Sequence, residues 1–168
     1  MALHLGSWVK FVSGWRLAPF VPTPHDVASR MLALARLAPG ERCVDLGCGD
    51  GRLLHAAVRD FGAASAIGYE TDAKLAAEAA AADDARVRVR CADALTSGAD
   101  LLDADVVTLY LSDRGNATLL PLLRESLRPS ARVVSFMCEM PIKPTRTVTL
   151  QDSGAWIHLF EGVGRRNG

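Results

Sequence analysis

Glycines alternate with other residues across Gly47–Gly51, directly after a short apolar run that contains Asp45. Apolar residues then recur at helical spacing from Leu53 to Phe61, so this stretch predicts a strand, a tight turn and a helix. Glycines let a ligand approach the backbone closely, and the free N–H groups at the start of a helix attract polar or anionic groups. The turn is therefore the part of the chain whose residue types and spacing best suit ligand binding.

The spacing of the glycines discriminates between classes of ligand. A dinucleotide-binding turn has the pattern GxGxxG, whereas this turn reads GxGxG and has Arg52 in place of the third glycine of that pattern. In addition, Asp45 stands two residues ahead of the first glycine. Binding of a nicotinamide or flavin dinucleotide is therefore disfavoured, and another polar ligand is expected.

A second acid, Glu70, ends the next predicted strand, about 23 residues beyond Gly47. In doubly wound sheets an acid about 20 residues past the glycines accepts hydrogen bonds from ribose hydroxyls. The alternative is a solvated acid that caps the following helix, but Thr71 and Asp72 already supply that cap. We therefore interpret Glu70 as a ribose ligand.

The elements that must position these residues alternate between strands and helices. Strands are predicted over residues 43–46, 64–70, 86–91, 105–111 and 131–138, followed by a hairpin over 145–150 and 155–161. Helices are predicted over residues 24–38, 53–61, 73–82 and 116–127. This order indicates an α/β fold, a Rossmann-like doubly wound sheet of about seven mostly parallel strands with a C-terminal antiparallel hairpin.

Local signals set the expected helix ends. Thr23 is predicted to cap the first helix, with Pro24 in the first turn and Asp26 completing a capping box. The helix over residues 116–127 is predicted to start or bend at Pro121, because proline cannot donate a backbone hydrogen bond. The positions at which the helices begin and end determine which of their residues lie near the ends of the strands.

Length and composition limit the class of protein. The 168 residues have room for one domain, which we assign to residues 21–163, and the formal net charge is +0. A protein that tracks nucleic-acid phosphates usually carries a basic excess, so nucleic acid is not expected as a partner. No apolar stretch reaches the roughly 18 residues of a membrane-spanning helix, and no His, Cys or carboxylate spacing indicates a metal. A cytoplasmic location is expected.

The first 20 residues admit three interpretations. Tryptophans recur near helical spacing with the basic residues Lys10 and Arg16, and the first acid of the chain is Asp26. Such a segment suits an amphipathic anchor on a membrane surface or a mitochondrial leader. It also suits a helix that packs its tryptophans on the domain or over a bound cofactor. The tail over residues 164–168 is predicted to be disordered.

The string VDLGCGDG at residues 44–51 resembles motif I of the class I S-adenosylmethionine-dependent methyltransferases. VPTP at residues 21–24, GYE at 68–70 and a short loop leading to a tryptophan hairpin extend the match. Together they are similar to the compact protein-lysine N-methyltransferase family that includes the ATP synthase c-subunit and adenine nucleotide translocase lysine methyltransferases. The resemblance implies S-adenosyl-L-methionine as cofactor and direct in-line transfer of its methyl group to a protein lysine amine.

The resemblance also implies roles for individual residues. The loop wraps the methionine part of the cofactor, Asp45 helps to hold its amino group, and Asp93 meets the adenine amino group. The cofactor-binding residues so implied are Asp45, Gly47, Cys48, Gly49, Asp50, Gly51, Glu70, Thr71, Asp93, Ala94 and Tyr110. Tyr110 is also the catalytic candidate, as an aromatic wall beside the methyl group, with Trp156 as a second wall. The alternatives are a turn cap for Asp93 and core packing for both aromatic residues.

Other features bear on the acceptor. In the methyltransferase topology Arg86, Arg88 and Arg90 lie on an edge strand, where their charge discourages the addition of another strand. The alternative is that they form a basic stripe that binds nucleic acid.

After the fourth strand the sequence reads LYLSD rather than an Asn-Pro-Pro-Tyr-like string, which argues against adenine-N6 and glutamine acceptors. The functional alternatives are a small-molecule or RNA methyltransferase and an inactive cofactor-binding module.

Overall fold

Seven strands form one sheet in the computed structural model of the protein, which describes residues 21–81 and 84–164. The strands are β1 (Arg42–Leu46), β2 (Ser65–Glu70), β3 (Val87–Cys91), β4 (Val106–Leu109), β5 (Arg132–Phe136), β6 (Arg146–Thr149) and β7 (Trp156–Glu161). The helices are α1 (His25–Leu34), α2 (Arg52–Arg59), α3 (Ala73–Ala80), α4 (Gly98–Leu101) and α5 (Asp113–Ser126), and a 3₁₀ turn spans Ala94–Thr96. None of the helices in this part of the chain is long and apolar enough to cross a lipid bilayer. The expectations for residues 1–20 and 165–168 lie outside the described residues and stay predictions.

The strand order across the sheet is β3-β2-β1-β4-β5-β7-β6. Strands β1 to β5 run parallel, whereas β7 is antiparallel to β5 and β6 is antiparallel to β7. This confirms the predicted α/β class and the mostly parallel sheet with an antiparallel hairpin. From β1 the chain builds outward through β2 and β3 on one side, then through β4 and β5 on the other. Ligands of such sheets bind beyond the carboxyl ends of the strands, at the point where the order reverses.

Helices cover both faces of the sheet. On one face α1 and α2 bury Met31 and Leu54, and on the other α5 buries Leu119 and Leu123. The four residues of β4 are all buried, which accounts for the mostly apolar composition of this central strand. A packed sheet of this kind holds the ends of its strands in fixed relative positions.

Helix α1 begins one residue later and ends four residues earlier than predicted. Pro24 occupies the N-cap position and no side chain caps the helix, so the predicted capping box of Thr23 and Asp26 is wrong. Thr23 is buried instead, and its carbonyl oxygen accepts a hydrogen bond of 2.7 Å from Arg52. Two residues after the helix ends, Arg36 is left-handed, with a φ of 53°.

Helix α5 begins at Asp113, three residues before the predicted start. Ser112 is the N-cap, and its hydroxyl oxygen accepts a hydrogen bond of 2.9 Å from the Gly115 N–H. Pro121 lies inside the helix, so it does not mark the start. The serine cap outweighs the proline signal because it satisfies a backbone donor of the first turn.

The strand with alternating arginines, β3, lies at one edge of the sheet, as predicted. Arg86 precedes the strand and pairs with Asp84, and Arg90 pairs with Asp100. Two of the three arginines therefore already have carboxylate partners. This arrangement agrees with protection of the edge rather than with a stripe of free cations for nucleic acid.

Candidate active site

The carboxyl ends of β1 to β4 bring together the residues that the sequence singles out. The glycine loop follows β1, Glu70 ends β2, Asp93 follows β3 and Tyr110 follows β4. Because β1 lies between β2 and β4, the glycine loop lies between Glu70 and Tyr110 along this edge. The structure thus assembles one site from positions that span more than 60 residues of sequence.

The glycine loop has a backbone that side chains would disrupt. All three glycines have positive φ, of 90°, 55° and 80° for Gly47, Gly49 and Gly51. A Cβ on Gly51 would lie 2.8 Å from Ala79 Cβ of α3, and a Cβ on Gly47 would lie 2.6 Å from Leu111 Cδ2. The glycines are therefore required both by backbone conformation and by neighbouring elements that pack directly on the loop.

Glu70 is joined to the glycine loop. Its Oε2 accepts a hydrogen bond of 3.0 Å from the Gly49 N–H, and its Oε1 accepts one of 2.8 Å from the Asp72 N–H. Thr71 Oγ1 lies 3.4 Å from Oε1, and Asp72 rather than Thr71 caps α3. The carboxylate is thus fixed at the edge of the loop and is not the cap of the helix.

Asp45 is buried beneath the loop with half of its carboxylate unpaired. Its Oδ1 accepts a hydrogen bond of 2.7 Å from the Thr108 hydroxyl. Its Oδ2 is buried and has no hydrogen-bond partner among the described residues. Burial raises the pKa of Asp45 above its ordinary value of 3.8, the Thr108 hydrogen bond lowers it, and the nearby carboxylates of Glu70 and Asp50 raise it, so that the pKa is about 7. A ligand ammonium group would supply the missing donor and favour the charged carboxylate.

Asp50 is held by Arg52, a residue to which the sequence assigned no function. The Arg52 Nε donates to Asp50 Oδ1 at 2.9 Å, its Nη2 pairs with Oδ2, and its Nη1 donates to the Thr23 carbonyl oxygen. These hydrogen bonds hold the pKa of Asp50 below its usual range. Arg52 therefore ties the loop to the segment before α1. One feature of the sequence could have indicated this role. Arg52 stands two residues after Asp50, at the position where a dinucleotide-binding turn has its third glycine.

Cys48 supports the loop from below. It is buried, and a Cβ on Gly68 of β2 would lie 2.5 Å from Cys48 Sγ, so the thiol fills the space that this glycine leaves. Burial raises the pKa of the thiol far above its usual range, and the charge of Asp45 adds to the shift. Cys48 therefore stays neutral and acts through packing and its backbone rather than as a nucleophile.

At the end of β3, Asp93 takes the alternative role of a cap. It is exposed and begins the 3₁₀ turn, and its Oδ1 accepts a hydrogen bond of 2.9 Å from the Leu95 N–H. Ala94 is buried behind it. The adenine contact expected for these two residues stays a prediction.

The other half of the edge is aromatic. Tyr110 is half-buried, and its ring meets the Phe136 ring edge-on, with centroids 4.8 Å apart and planes at 61°. Burial raises the pKa of the Tyr110 hydroxyl, which therefore stays protonated at neutral pH. Trp156, at the start of β7, is 46% exposed, so it is not a core residue. Packing thus covers only part of the surface of each of these two residues.

A cavity of about 610 Å³ adjoins this aromatic half. It lies between residues 139–144 and the β6–β7 hairpin, and Trp156 and His158 are among its lining residues. His158 is buried, and its Nδ1 lies 2.9 Å from Thr147 Oγ1. Like His55, which contacts the Ala79 carbonyl oxygen, it holds neighbouring elements together. Within the described residues no group of His, Cys, Asp and Glu side chains could hold a metal ion.

Two sequence comparisons are informative. The family model described as the ANTKMT methyltransferase domain matches residues 45–146, which include the glycine loop, Glu70, Asp93 and Tyr110. A protein-lysine N-methyltransferase of Saccharolobus islandicus strain REY15A is 36% identical over 136 residues. That alignment covers 73% of this chain and 78% of the relative.

Solved structures resemble the whole fold. An RNA methyltransferase from Salinibacter ruber in complex with S-adenosyl-L-homocysteine is 38% identical, with a TM-score of 0.76, and the match covers 84% of this chain and 94% of that one. Precorrin 8W decarboxylase of Methanobacterium thermoautotrophicum has a TM-score of 0.65 at 15% identity, over 85% of this chain and 92% of that one. The second similarity indicates the fold alone.

Proposed function

The chain belongs to the ANTKMT methyltransferase domain family and is an S-adenosylmethionine-dependent methyltransferase, and we propose that its acceptor is a lysine amine in a protein. The observation that carries the proposal is the 36% identity to a protein-lysine N-methyltransferase. A net charge of +0 supports a protein acceptor over a polyanion. The reaction is a direct in-line displacement, in which alignment of donor and acceptor does most of the work.

The cofactor-binding residues of the proposal are those that follow β1 to β4, together with the buried acid of β1. They are Asp45, Gly47, Cys48, Gly49, Asp50, Gly51, Glu70, Thr71, Asp93, Ala94 and Tyr110. When bound, S-adenosylmethionine supplies a methyl group on a positively charged sulfur. The buried, unpaired Asp45 Oδ2 supports this fit, because a cofactor amino group is a cationic donor that would satisfy it.

Glu70 holds the ribose in this proposal. Its carboxylate already accepts hydrogen bonds from the Gly49 and Asp72 N–H groups, so it needs no reorganisation to present its remaining lone pairs. A carboxylate fixed in this way suits the two adjacent hydroxyls of a ribose. The position of Asp93 at the neighbouring strand end supports its contact with the adenine.

Tyr110 and Trp156 flank the methyl group and the acceptor amine. The face of an aromatic ring attracts a sulfonium or ammonium cation. Tyr110 directly follows β4 and Trp156 begins β7, so both residues stand at strand ends beyond the glycine loop. The acceptor must arrive as the unprotonated amine, because only its lone pair can attack the methyl carbon. Tyr110 acts by placing its ring and not by removing a proton, since burial keeps its hydroxyl protonated.

RNA methylation is the second candidate function. The observation that favours it is the 38% identity to a structure described as an RNA methyltransferase. Against it stands the pairing of Arg86 with Asp84 and of Arg90 with Asp100, which removes free positive charge from the strand best placed to form a basic stripe. The neutral net charge argues in the same direction.

The deciding experiment offers both acceptors to the enzyme. Purified protein and methyl-labelled S-adenosylmethionine are incubated in two parallel reactions. One reaction contains an RNA-free protein extract, and the other contains a protein-free RNA preparation made from the same cell lysate. We expect label in the protein pool and, after complete hydrolysis, label in methylated lysine. The Glu70→Ala variant is the matched control and should transfer far less label at a donor concentration well below its weakened Kd.

The outcomes separate the candidates. Label confined to RNA would overturn the lysine proposal and establish the second candidate. Label in protein on a residue other than lysine would overturn the acceptor while leaving the methyltransferase activity in place. Cofactor binding without transfer to either pool would contradict both macromolecular acceptors and favour a small molecule.

A further inference from the structure

Met137 has a left-handed backbone conformation that the neighbouring residues in the sequence do not explain. Its φ is 61°, in the left-handed region that is costly for residues other than glycine. Among the described residues other than glycine, Arg36 alone shares a positive φ. Arg36 follows the end of α1, where the Leu37 N–H donates to the Leu32 carbonyl oxygen, and such helix ends commonly contain a left-handed residue. Met137 follows a strand, so no helix end explains its conformation.

Backbone hydrogen bonds hold this turn on both sides. The Met137 N–H donates to the Trp156 carbonyl oxygen at 2.8 Å, which continues the pairing of β5 with β7. The Cys138 N–H donates to the Phe136 carbonyl oxygen at 2.7 Å, which closes a tight turn around Met137. The left-handed conformation is therefore built into the end of the strand.

Side chains from two other elements fix the residues after Met137. Asn116 of α5 is fully buried, and its amide nitrogen donates to the carbonyl oxygens of Cys138 and Glu139 at 3.1 and 3.2 Å. The Ser135 hydroxyl donates to the Cys138 carbonyl oxygen at 2.7 Å, and the Glu139 N–H donates to Asp113 Oδ1 at 2.8 Å. Strained residues that are held this firmly cluster at functional sites.

The strained turn leaves an apolar side chain in solvent. Met137 is 44% exposed, although methionine is usually a buried residue. Trp156, opposite Met137 across the β5–β7 pair, is 46% exposed. The fold therefore gains only partial burial of the Met137 side chain in return for the strained backbone.

A chain of contacts links the turn at Met137 to the glycine loop. Cys138 Sγ donates to the carbonyl oxygen of Leu111 at 3.5 Å, and Leu111 directly follows Tyr110. A Cβ on Gly47 would lie 2.6 Å from Leu111 Cδ2, so Leu111 packs on the glycine loop. The residue after Met137 thus contacts the same short segment that contacts the cofactor loop.

We propose that Met137 determines acceptor specificity and that its side chain, with Trp156, forms the apolar wall along which the methylene chain of the acceptor lysine lies. The inference rests on the proposed lysine acceptor and adds the surface that recognises it. A flexible thioether adapts to an alkyl chain, and an indole face attracts the positive charge that the amine nitrogen gains as it takes up the methyl group. An apolar wall also removes water from the amine, which favours its unprotonated, reactive form.

The test uses a probe that joins the two ligands. In an aza analogue of S-adenosylmethionine, nitrogen replaces the sulfonium sulfur and carries a four-carbon aminoalkyl arm in place of the methyl group. Calorimetry compares the Kd of this probe with that of S-adenosylhomocysteine, which lacks the arm. We expect the arm to improve the affinity of the wild-type protein at least about tenfold, because it buries methylene groups.

Three variants locate the effect. Met137→Ala removes the side chain and keeps the strained backbone, whereas Met137→Gly removes both. Leu102→Ala is the matched control, because Leu102 is an exposed apolar residue that lies before β4, at the opposite edge of the sheet. We expect both Met137 variants to lose most of the gain from the arm and all three to keep wild-type affinity for S-adenosylhomocysteine, which also reports correct folding.

Each other outcome overturns something specific. If the arm keeps its full gain in the two Met137 variants, the inference about Met137 is wrong and the lysine acceptor stands. If only Met137→Gly loses the gain, the turn conformation rather than the side chain matters, and the proposed wall is wrong. If the arm adds nothing to the affinity of the wild-type protein, the lysine acceptor itself is contradicted.

Discussion

The edge of the sheet formed by the carboxyl ends of the strands has a half that binds the cofactor and a half that receives the acceptor, and the two halves differ in the kind of side chain they present. In the cofactor half, at the ends of β1 and β2, polar groups are buried or bonded to one another, as in the contacts of Glu70 with Gly49 and of Asp50 with Arg52. The acceptor half, at the ends of β4 and β5 and the start of β7, includes two exposed apolar side chains, Met137 and Trp156.

The difference reflects what each half must recognise. The methyl donor has a constant structure with charged and hydroxyl groups, so residues of fixed type and geometry can be prepared for it in advance. An alkyl amine offers one polar atom at the end of an apolar chain, so shape and exclusion of water carry its recognition. Changes in the cofactor half should therefore affect folding and donor binding, and changes to Met137 and Trp156 in the acceptor half should affect transfer alone.

The largest effect is expected for Gly51→Ala in the cofactor half. A Cβ there adds a left-handed alanine and a contact of 2.8 Å with Ala79 Cβ, which together should cost about 3 kcal/mol of the free energy of unfolding. Gly154→Ala is the control, because Gly154 also has positive φ but nothing within 4 Å of its Cβ position. The control should cost about 1 kcal/mol. Equal losses in urea denaturation would contradict the packing of α3 on the loop.

The second prediction concerns the pH dependence of stability. Unfolded chains lose the Asp45 proton near the ordinary pKa of 3.8, whereas the folded protein keeps it up to about pH 7. Between these values the unfolded state binds fewer protons, so the free energy of unfolding should fall as pH rises from about 4 to about 7. Asp45→Asn should remove this contribution, as denaturation at a series of pH values would test.

Donor binding should depend on pH in the opposite sense. A cationic amino group prefers the charged carboxylate, so binding of S-adenosylhomocysteine should release a proton below pH 7 and tighten about tenfold between pH 6 and pH 8. Calorimetry in two buffers of different ionisation enthalpy counts the released protons. Identical pH profiles for the wild type and Asp45→Asn would show that Asp45 does not meet the amino group.

A smaller effect is expected for Tyr110 in the acceptor half. Tyr110→Leu removes the aromatic face and should lower kcat/KM for the acceptor about tenfold, which corresponds to the size of one cation–π contact. Tyr110→Phe keeps the ring and should change kcat/KM less than about threefold. A larger loss in Tyr110→Phe than in Tyr110→Leu would identify the hydroxyl, and not the ring, as the active group.

Local sequence signals predicted the cofactor half well. The alternating glycines, the preceding acid and the apolar periodicity all act over a few residues, so the strand, turn and helix around Gly49 follow from them. Glu70 follows from the same logic, because its distance along the chain places it at the end of the adjacent strand.

The sequence could not predict features that depend on distant contacts. The Arg52 bond to the Thr23 carbonyl oxygen joins residues that only the packed fold brings together. No glycine or asparagine in the sequence signals the left-handed conformation of Met137. Its N–H donates to the Trp156 carbonyl oxygen, and Asn116 donates to the carbonyl oxygen of the next residue, Cys138. The predicted start of α5 lies three residues after the observed start, because Pro121 is a more conspicuous helix signal in the sequence than the cap at Ser112.

The most direct test of the division between the two halves is one calorimetric titration with S-adenosylhomocysteine, repeated on Glu70→Ala and Trp156→Ala. We predict that Glu70→Ala weakens binding about 100-fold, through the loss of two charge-assisted hydrogen bonds to the ribose, and that Trp156→Ala binds like the wild type. Wild-type affinity in Glu70→Ala, or equal losses in the two variants, would contradict the assignment of donor and acceptor to separate halves of the edge.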